Sequence, residues 1–248
     1  MEGGLLLTET LAQYSAIMVM KKVNGEDQIR RQLRSQLSSY LSGRASEKLG
    51  EVPLIRTAHQ SYLHYNKGAL AMYLLQQRMG EEAVNRALRT LLEKFRFKGA
   101  PYARSLDLVA ALRAEAKTGE DQALITDLFE RITLYDLRTV EPEAKRRADG
   151  KWEVSVPLEA RKYYADTDGN EKEVRLAERI EVGLFTDQPG SGTFDQRHVI
   201  LMQRHSIRSG RQVLKFVVDR KPLFAGLDPY NFYIDRKSSD NVLSVSLP

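Results

Sequence analysis

The sequence contains no cysteine, and this absence excludes several kinds of site at once. Disulfide bridges, zinc sites built from thiolates and cysteine nucleophiles all depend on that residue. Long apolar segments are also missing, because Lys21 and Lys22 end the most apolar stretch well before it reaches the length of a membrane span. The first residues show neither the basic segment nor the small-residue cleavage site of a secretory signal. We therefore expect a soluble, cytoplasmic chain.

Histidine is scarce, with four copies at His59, His64, His198 and His205. No two of them have the His-x-x-x-His spacing that lets one helix face hold zinc. The chain also lacks a phosphate-binding glycine loop and the Gly-x-Ser-x-Gly elbow of serine hydrolases. It therefore carries no self-contained motif for zinc, nucleotide or serine chemistry, and we expect the histidines to be structural.

The charge balance is mildly basic, at +5 over 248 residues, with 29% charged and 42% hydrophobic residues. This composition is typical of a globular protein rather than a disordered one. Basic residues are interleaved with acidic ones, and the densest basic groups lie at 30–34 and 145–147. We interpret these groups as solvated helix faces and a charged linker, and we expect no nucleic-acid binding.

The first half of the chain has the period of amphipathic helices. The first of these helices is apolar nearly all round, so we expect it to be buried. A loop is predicted from Glu51 to Tyr62, where the period is lost around Pro53. The predicted helices span residues 8–23, 26–43, 66–79, 81–95, 105–112 and 121–132.

Beyond Gly150 the period changes to two, with apolar and polar residues alternating over 152–158. Further strands are predicted at 180–184, 199–204, 212–218 and 242–247. Short strands at this spacing predict a β-sandwich of about immunoglobulin size. A charged segment with one proline separates the halves, so we predict an α+β chain with a helical domain at 1–136 and a sandwich at 137–248.

Two residues of the helical half are candidates for chemistry. Glu9 places a carboxylate in the helix that is predicted to be buried, and a buried carboxylate requires a cation, hydrogen-bond donors or a free helix N-terminus. Tyr65 lies where a second apolar helix begins and is by itself an ordinary half-buried aromatic. On chemistry alone, a metal-ligand role and a structural role for Glu9 are both open.

The stretches around these two residues resemble the M1 (gluzincin) family of zinc aminopeptidases. Thr-Glu-Thr-Leu-Ala-Gln-Tyr at 8–14 is similar to the segment that carries the family's glutamate zinc ligand, commonly Asn-Glu-Gly-Phe-Ala. His-Tyr-Asn-Lys-Gly-Ala at 64–69 is similar to the family's Tyr-x-Lys-Gly segment. The resemblance implies an all-helical lobe of a thermolysin-like catalytic domain followed by an immunoglobulin-like β-sandwich. It also implies that Glu9 is the third zinc ligand and that the Tyr65 hydroxyl stabilises the oxyanion of the tetrahedral intermediate.

The chain departs from the family in the rest of the zinc site. The family's two histidine ligands and its general base lie in His-Glu-x-x-His, upstream of the glutamate ligand, and only eight residues precede Glu9 here. The family's segment for the substrate amine is missing as well. We therefore expect the carboxy-terminal part of a metallo-aminopeptidase, which acts on peptide substrates together with its amino-terminal part. The isolated chain should hold no catalytic zinc and cleave no peptide.

Further expectations concern partners. Without the missing lobe, Leu5, Leu6, Leu7 and Leu11 would form an exposed apolar patch, so we expect self-association through the first helix or disorder of the first residues. Relatives that share the sequence of residues 8–14 resemble peptidase units joined to membrane-spanning segments. This resemblance implies that the complete protein is membrane-associated. The alternative hypothesis is a non-catalytic binding or structural module acting through the β-sandwich. In that module the aromatic segment 228–233 would contact a partner or close a sandwich edge.

Overall fold

The structure is a computed structural model in which residues 3–247 are described, apart from the side chain of Asp27. It is 44% helical and 27% strand, with antiparallel sheets, in agreement with the predicted α+β class. Within the described residues, every helix is too short or too polar to cross a bilayer.

The chain divides into two compact units. The helical unit comprises the chain up to Met20, Ser35–Thr133 and Tyr164–Lys172, and the β unit comprises Lys21–Arg34, Leu134–Tyr163 and the chain from Glu173 onward. The main passage from one unit to the other follows Thr133, and two shorter segments cross in addition. The division into domains at 1–136 and 137–248 stays a prediction.

Helices dominate the first half of the chain, as predicted. The α-helices are α1 (Leu11–Asn24), α2 (Ile29–Ser46), α3 (Gly68–Met79), α4 (Glu81–Phe95), α5 (Ser105–Glu115) and α6 (Gly119–Ile125). Wide π-helical turns lie at Leu6–Thr10, Tyr62–Lys67 and Thr126–Glu130, and 3-10 turns at Glu26–Gln28, Leu54–Arg56, Gln196–His198 and Ser238–Asp240. The prediction is wrong at the end of the last helix, because Ile132 begins the first strand instead.

Helix α3 forms the centre of the helical unit, because every residue from Gly68 to Gln76 is buried. Small side chains at Ala69 and Ala71 leave room for neighbouring elements to approach. Gly80 adopts φ +90°, a conformation that L side chains rarely take, and this lets α4 begin at the next residue. The glycine therefore sets the sharp change of direction after α3.

The prediction that the first helix is buried all round is wrong. In α1 the buried residues are Tyr14 and Ile17, whereas Val19 and Val23 are 62% and 75% exposed. Apolar side chains also occur on protein surfaces, so an apolar composition does not by itself give burial on every face. One face of α1 faces the core, and the rest is accessible.

The second half of the chain forms two antiparallel sheets. The strands are β1 (Ile132–Thr139), β2 (Glu143–Arg146), β3 (Trp152–Ala165), β4 (Glu171–Val174), β5 (Ala177–Phe185), β6 (Val199–Arg208), β7 (Gly210–Val218), β8 (Phe224–Leu227) and β9 (Val242–Ser244). One sheet has the order β1-β3-β2, with β4 and β7 also paired to β3, and the other has the order β6-β5-β8-β9. All five strands predicted from the sequence are present.

The alternation read from the sequence sets the inner face of β3. Val154, Val156 and Leu158 are buried, and the residues between them are half-exposed. Their cross-strand partners on β7 include Phe216 opposite Val154 and Leu214 opposite Val156. A period of two thus gives β3 a buried apolar face, whereas on β7 Leu214 and Phe216 are half-exposed.

Candidate functional site

The segment around Glu9 forms a wide helical turn rather than the regular helix that was predicted. Leu6–Thr10 is π-helical and runs directly into α1. Such turns are rare, appear mostly as single bulges in α-helices, and occur frequently at functional sites. Leu6 and Thr10 are fully buried, whereas Glu9 is half-exposed. The predicted burial of the Glu9 carboxylate is therefore wrong.

A second wide turn carries Tyr65. Tyr62–Lys67 is π-helical and continues into α3 at Gly68. Tyr65 is half-exposed, while its neighbours His64 and Lys67 are 5% and 0% exposed. Neither wide turn was predicted from the sequence.

Thr10 joins the two wide turns. Its hydroxyl donates a 2.6 Å hydrogen bond to the carbonyl oxygen of His64. Gly68 lies against the same side chain, since a Cβ on Gly68 would stand 2.2 Å from Oγ1 of Thr10. That approach requires glycine at position 68. The two segments, far apart in the sequence, therefore meet at a tightly fitted crossing.

This crossing places Glu9 beside Tyr65. Interaction with the nearby Glu9 carboxylate is the main cause that raises the pKa of Tyr65. Desolvation and the Glu9 charge act in the same direction. A phenol with a raised pKa keeps its proton at neutral pH and remains a hydrogen-bond donor. The structure thus brings together the two residues that the sequence singled out.

His64 lies at the same crossing. Its ring centroid is 4.8 Å from that of Tyr65. Burial lowers the pKa of His64, and the nearby Glu9 charge opposes this effect. Nδ1 of His64 is buried and has no hydrogen-bond partner among the described residues. Sequence analysis missed this neighbour of Glu9, because its spacing to the other histidines indicated no site.

The side chains around Glu9 do not complete the ligand set of a zinc site. A catalytic zinc takes three protein ligands and leaves one position for water. Within residues 3–247, no group of three or more His, Asp or Glu side chains is arranged to hold a metal ion. Glu9 offers one carboxylate, to which Thr8 donates a hydrogen bond. These residues by themselves do not fit a zinc ion.

The buried carboxylate of this region is Glu51. It is 4% exposed and accepts hydrogen bonds from Nζ of Lys67 at 2.6 Å, from the Tyr40 hydroxyl at 2.9 Å and from Nε of Arg44 at 2.8 Å. Sequence analysis placed Glu51 in a loop and gave it no role. The usable signal was Lys67, because a lysine next to an apolar helix start requires an acidic partner once it is buried.

Two surfaces that were expected to meet partners are less accessible than predicted. Leu6 is fully buried, and Leu5, Leu7 and Leu11 are half-buried, so they do not form the exposed patch predicted at the first helix. The aromatic segment 228–233 is buried throughout. Its first residue, Asp228, accepts hydrogen bonds from the backbone N–H groups of Phe232 and Tyr233. The segment is therefore part of the β-unit core.

No known family model matches the chain, and no curated protein matches it.

Proposed function

We propose that Glu9 and Tyr65 belong to the active site of a zinc-dependent metallo-aminopeptidase of the M1 type. In this proposal the helical unit is the helical lobe of a thermolysin-like catalytic domain, and the β unit is the immunoglobulin-like sandwich that follows it. The observation that carries the proposal is the meeting of the two wide turns, where Thr10 bonds the carbonyl oxygen of His64 and Glu9 lies near Tyr65. It joins the two segments whose sequences resemble the family, and the resemblance assigns both residues to one site.

Tyr65 has the properties of an oxyanion donor. Its phenol is half-exposed, so a substrate can reach it, and its raised pKa keeps the donating proton in place. A fixed donor aimed at a developing oxyanion lowers the barrier of acyl transfer, and removing one such donor in other enzymes costs about 100-fold to 1,000-fold in kcat. When substrate arrives, the hydroxyl would donate a hydrogen bond to the oxyanion.

Glu9 would be one carboxylate ligand of the zinc in the complete site. The two remaining ligands and the general base would come from residues other than 3–247, where no group of three or more His, Asp or Glu side chains is arranged to hold a metal ion. The partners of the chain in this proposal are therefore the amino-terminal part of the same peptidase and the peptide substrate.

The proposal is tested on the complete coding sequence. An in-frame His-Glu-x-x-His upstream of Met1 is expected, and the product of the complete frame should release the amine from aminoacyl-anilides. Glu9→Gln and Tyr65→Phe should each abolish most of that activity. Glu82→Gln, whose side chain is 95% exposed, and Tyr102→Phe, at an exposed tyrosine, are the matched controls and should leave activity unchanged. An active product that is indifferent to Glu9→Gln and Tyr65→Phe would contradict the proposal.

A further inference from the structure

We propose that Lys67 and Glu51 are positioning residues for Tyr65. Their buried ion pair fixes the wide turn Tyr62–Lys67, and the fixed turn holds Tyr65 beside Glu9. The catalytic meaning of this inference rests on the proposed function, because the direction of Tyr65 matters to a reaction only there. The geometric part can be measured without any peptidase activity.

The neighbours of Tyr65 are anchored on both sides. Before it, the carbonyl oxygen of His64 accepts the 2.6 Å hydrogen bond from Thr10. After it, Nδ2 of Asn66 donates a 2.6 Å hydrogen bond to Oε1 of Gln36, and Lys67 bonds Glu51. Tyr65 itself is half-exposed and lies near Glu9. Its direction is therefore set by how its neighbours are held.

Lys67 is the strongest of these anchors. Its side chain is fully shielded from solvent, and Nζ lies 2.6 Å from Oε1 of Glu51. The ammonium also lies 5.3 Å from the centre of the Tyr40 ring, within the range of a cation–π contact. Burial lowers the pKa of Lys67, and the Glu51 charge opposes this effect. An ammonium in such a place keeps its charge through that one carboxylate.

Glu51 is in turn fixed by α2. Tyr40 and Arg44 both lie on that helix, and their hydroxyl and Nε bond the two carboxylate oxygens. Arg44 also reaches Glu171 at 3.5 Å. The lysine is thus bound to a carboxylate that cannot turn away, so the end of the wide turn is tied to α2 through a chain of directional contacts.

A directional contact is what a wide turn needs. If its extra residue moved by one position along the helix, the displaced residue would rotate by about 100° around the helix axis. Tyr65 would then leave Glu9, while an apolar packing of the same volume would tolerate the change. A buried ion pair gives little net stability relative to an apolar replacement. Its use here is to select one register of the turn.

The test is a mutant cycle on the 248-residue chain, measured by urea unfolding. The unfolding constants of the unmodified chain, Glu9→Ala, Tyr65→Phe and the double variant give the coupling between the two side chains. Interaction of the phenol with the neighbouring carboxylate is expected to give a coupling of about threefold to tenfold. The same cycle in a Lys67→Met background should give a coupling below about twofold. Glu51→Gln, a smaller change, serves as the second background if Lys67→Met does not fold.

Lys162→Met is the matched control. Lys162 is a buried lysine of the β unit that bonds Glu178 at 2.9 Å, so its loss should lower stability and leave the Glu9–Tyr65 coupling intact. A coupling that persists in Lys67→Met and Glu51→Gln overturns the proposal. So does an equal loss of coupling in Lys162→Met, or the absence of coupling in the unmodified chain.

A kinetic readout separates this inference from the proposed function. In an active product of the complete frame, Lys67→Met should lower kcat and leave KM unchanged, because the donor is misdirected while binding is kept. An inactive product together with the expected cycle would remove the peptidase role and leave the positioning geometry standing. An active product whose kcat ignores Lys67→Met would overturn the positioning role alone.

Discussion

Nζ of Lys67 and Oε1 of Glu51 are 2.6 Å apart, and their side chains are 0% and 4% exposed. The pair is asymmetric. Glu51 also receives hydrogen bonds from Tyr40 and Arg44, whereas in the described part of the chain Lys67 donates to Glu51 alone. Loss of one partner therefore leaves two different situations, a carboxylate that is still bonded or an ammonium that is not.

Glu51→Ala should destabilise the chain more than Lys67→Met does. The first change strands a buried ammonium, and removing one partner of a buried pair typically costs about 3–5 kcal/mol. The second leaves Glu51 with Tyr40 and Arg44, and methionine fills much of the lysine volume. Urea unfolding of both variants measures the two losses of unfolding free energy. A larger loss for Lys67→Met than for Glu51→Ala would contradict the prediction.

Gly68→Ala should destabilise the crossing of the two wide turns. The new Cβ would stand 2.2 Å from Oγ1 and 2.7 Å from Cγ2 of Thr10, and forced overpacking costs about 1–3 kcal/mol. In a Thr10→Ala background both of these atoms are gone, so the further cost of Gly68→Ala should shrink.

Gly119→Ala is the control for this prediction. Gly119 opens α6 and a Cβ there would meet no atom within 4 Å, so alanine should stabilise the helix by up to about 1 kcal/mol. Thermal unfolding of the four variants measures both effects. Equal costs of Gly68→Ala with and without Thr10 would show that the steric account is wrong.

Periodicity predicted the elements well, since all predicted helices and strands are present. It failed at short strands and at the eight-residue strand β1, whose first four residues are all buried and therefore show no alternation. Strands β2, β4 and β8 each have four residues, too few to display an alternation. Ile132 continued the apolar spacing of α6 although the backbone had already become extended. The local sequence pattern indicates whether a segment forms a helix or a strand. Where that element ends depends on its contacts with the rest of the fold.

Glu9 and Tyr65 were singled out from the sequence, whereas the residues that hold their segments in place were not. Glu9 and Tyr65 lie in segments with distinctive wording, and the fold brings them into contact. Glu51 lies in a segment without hydrophobic periodicity. Its role becomes visible only in the structure, where it pairs with Lys67. The burial of α1 was overestimated for the same reason, because which face meets the core depends on the packing partners.

The titration of Asp235 should make the stability of the β unit depend on pH. Burial raises the pKa of Asp235 to about 7, with Asp136 and Asp240 adding to it and the N–H groups of Leu137 and Lys237 opposing it. The unfolded value is about 4. The folded state therefore binds the extra proton, and this stabilising contribution is full below pH 4 and disappears as pH rises through 7.

Asp235→Asn isolates this contribution. The stability of the unmodified chain should fall between pH 5 and pH 8 by about 2–3 kcal/mol more than that of Asp235→Asn, since each pKa unit corresponds to about 1.4 kcal/mol. Urea unfolding of both proteins at pH 5 and pH 8 gives the change in unfolding free energy for each protein, and the two changes are then compared. Parallel pH profiles would mean that Asp235 does not titrate in this range.

The 248-residue chain by itself should be inactive toward aminoacyl-anilides in the presence of added zinc. One carboxylate does not provide the three protein ligands of a catalytic zinc, and Glu9 is the carboxylate that the described residues place at Tyr65. Equilibrium dialysis should accordingly find no zinc binding that Glu9→Ala removes, with Glu82→Gln as the surface control. Turnover by the isolated chain that both Glu9→Ala and Tyr65→Phe abolish would contradict this expectation. It would mean that His64, or another residue brought near Glu9 by a change of conformation, completes the zinc site from within the chain.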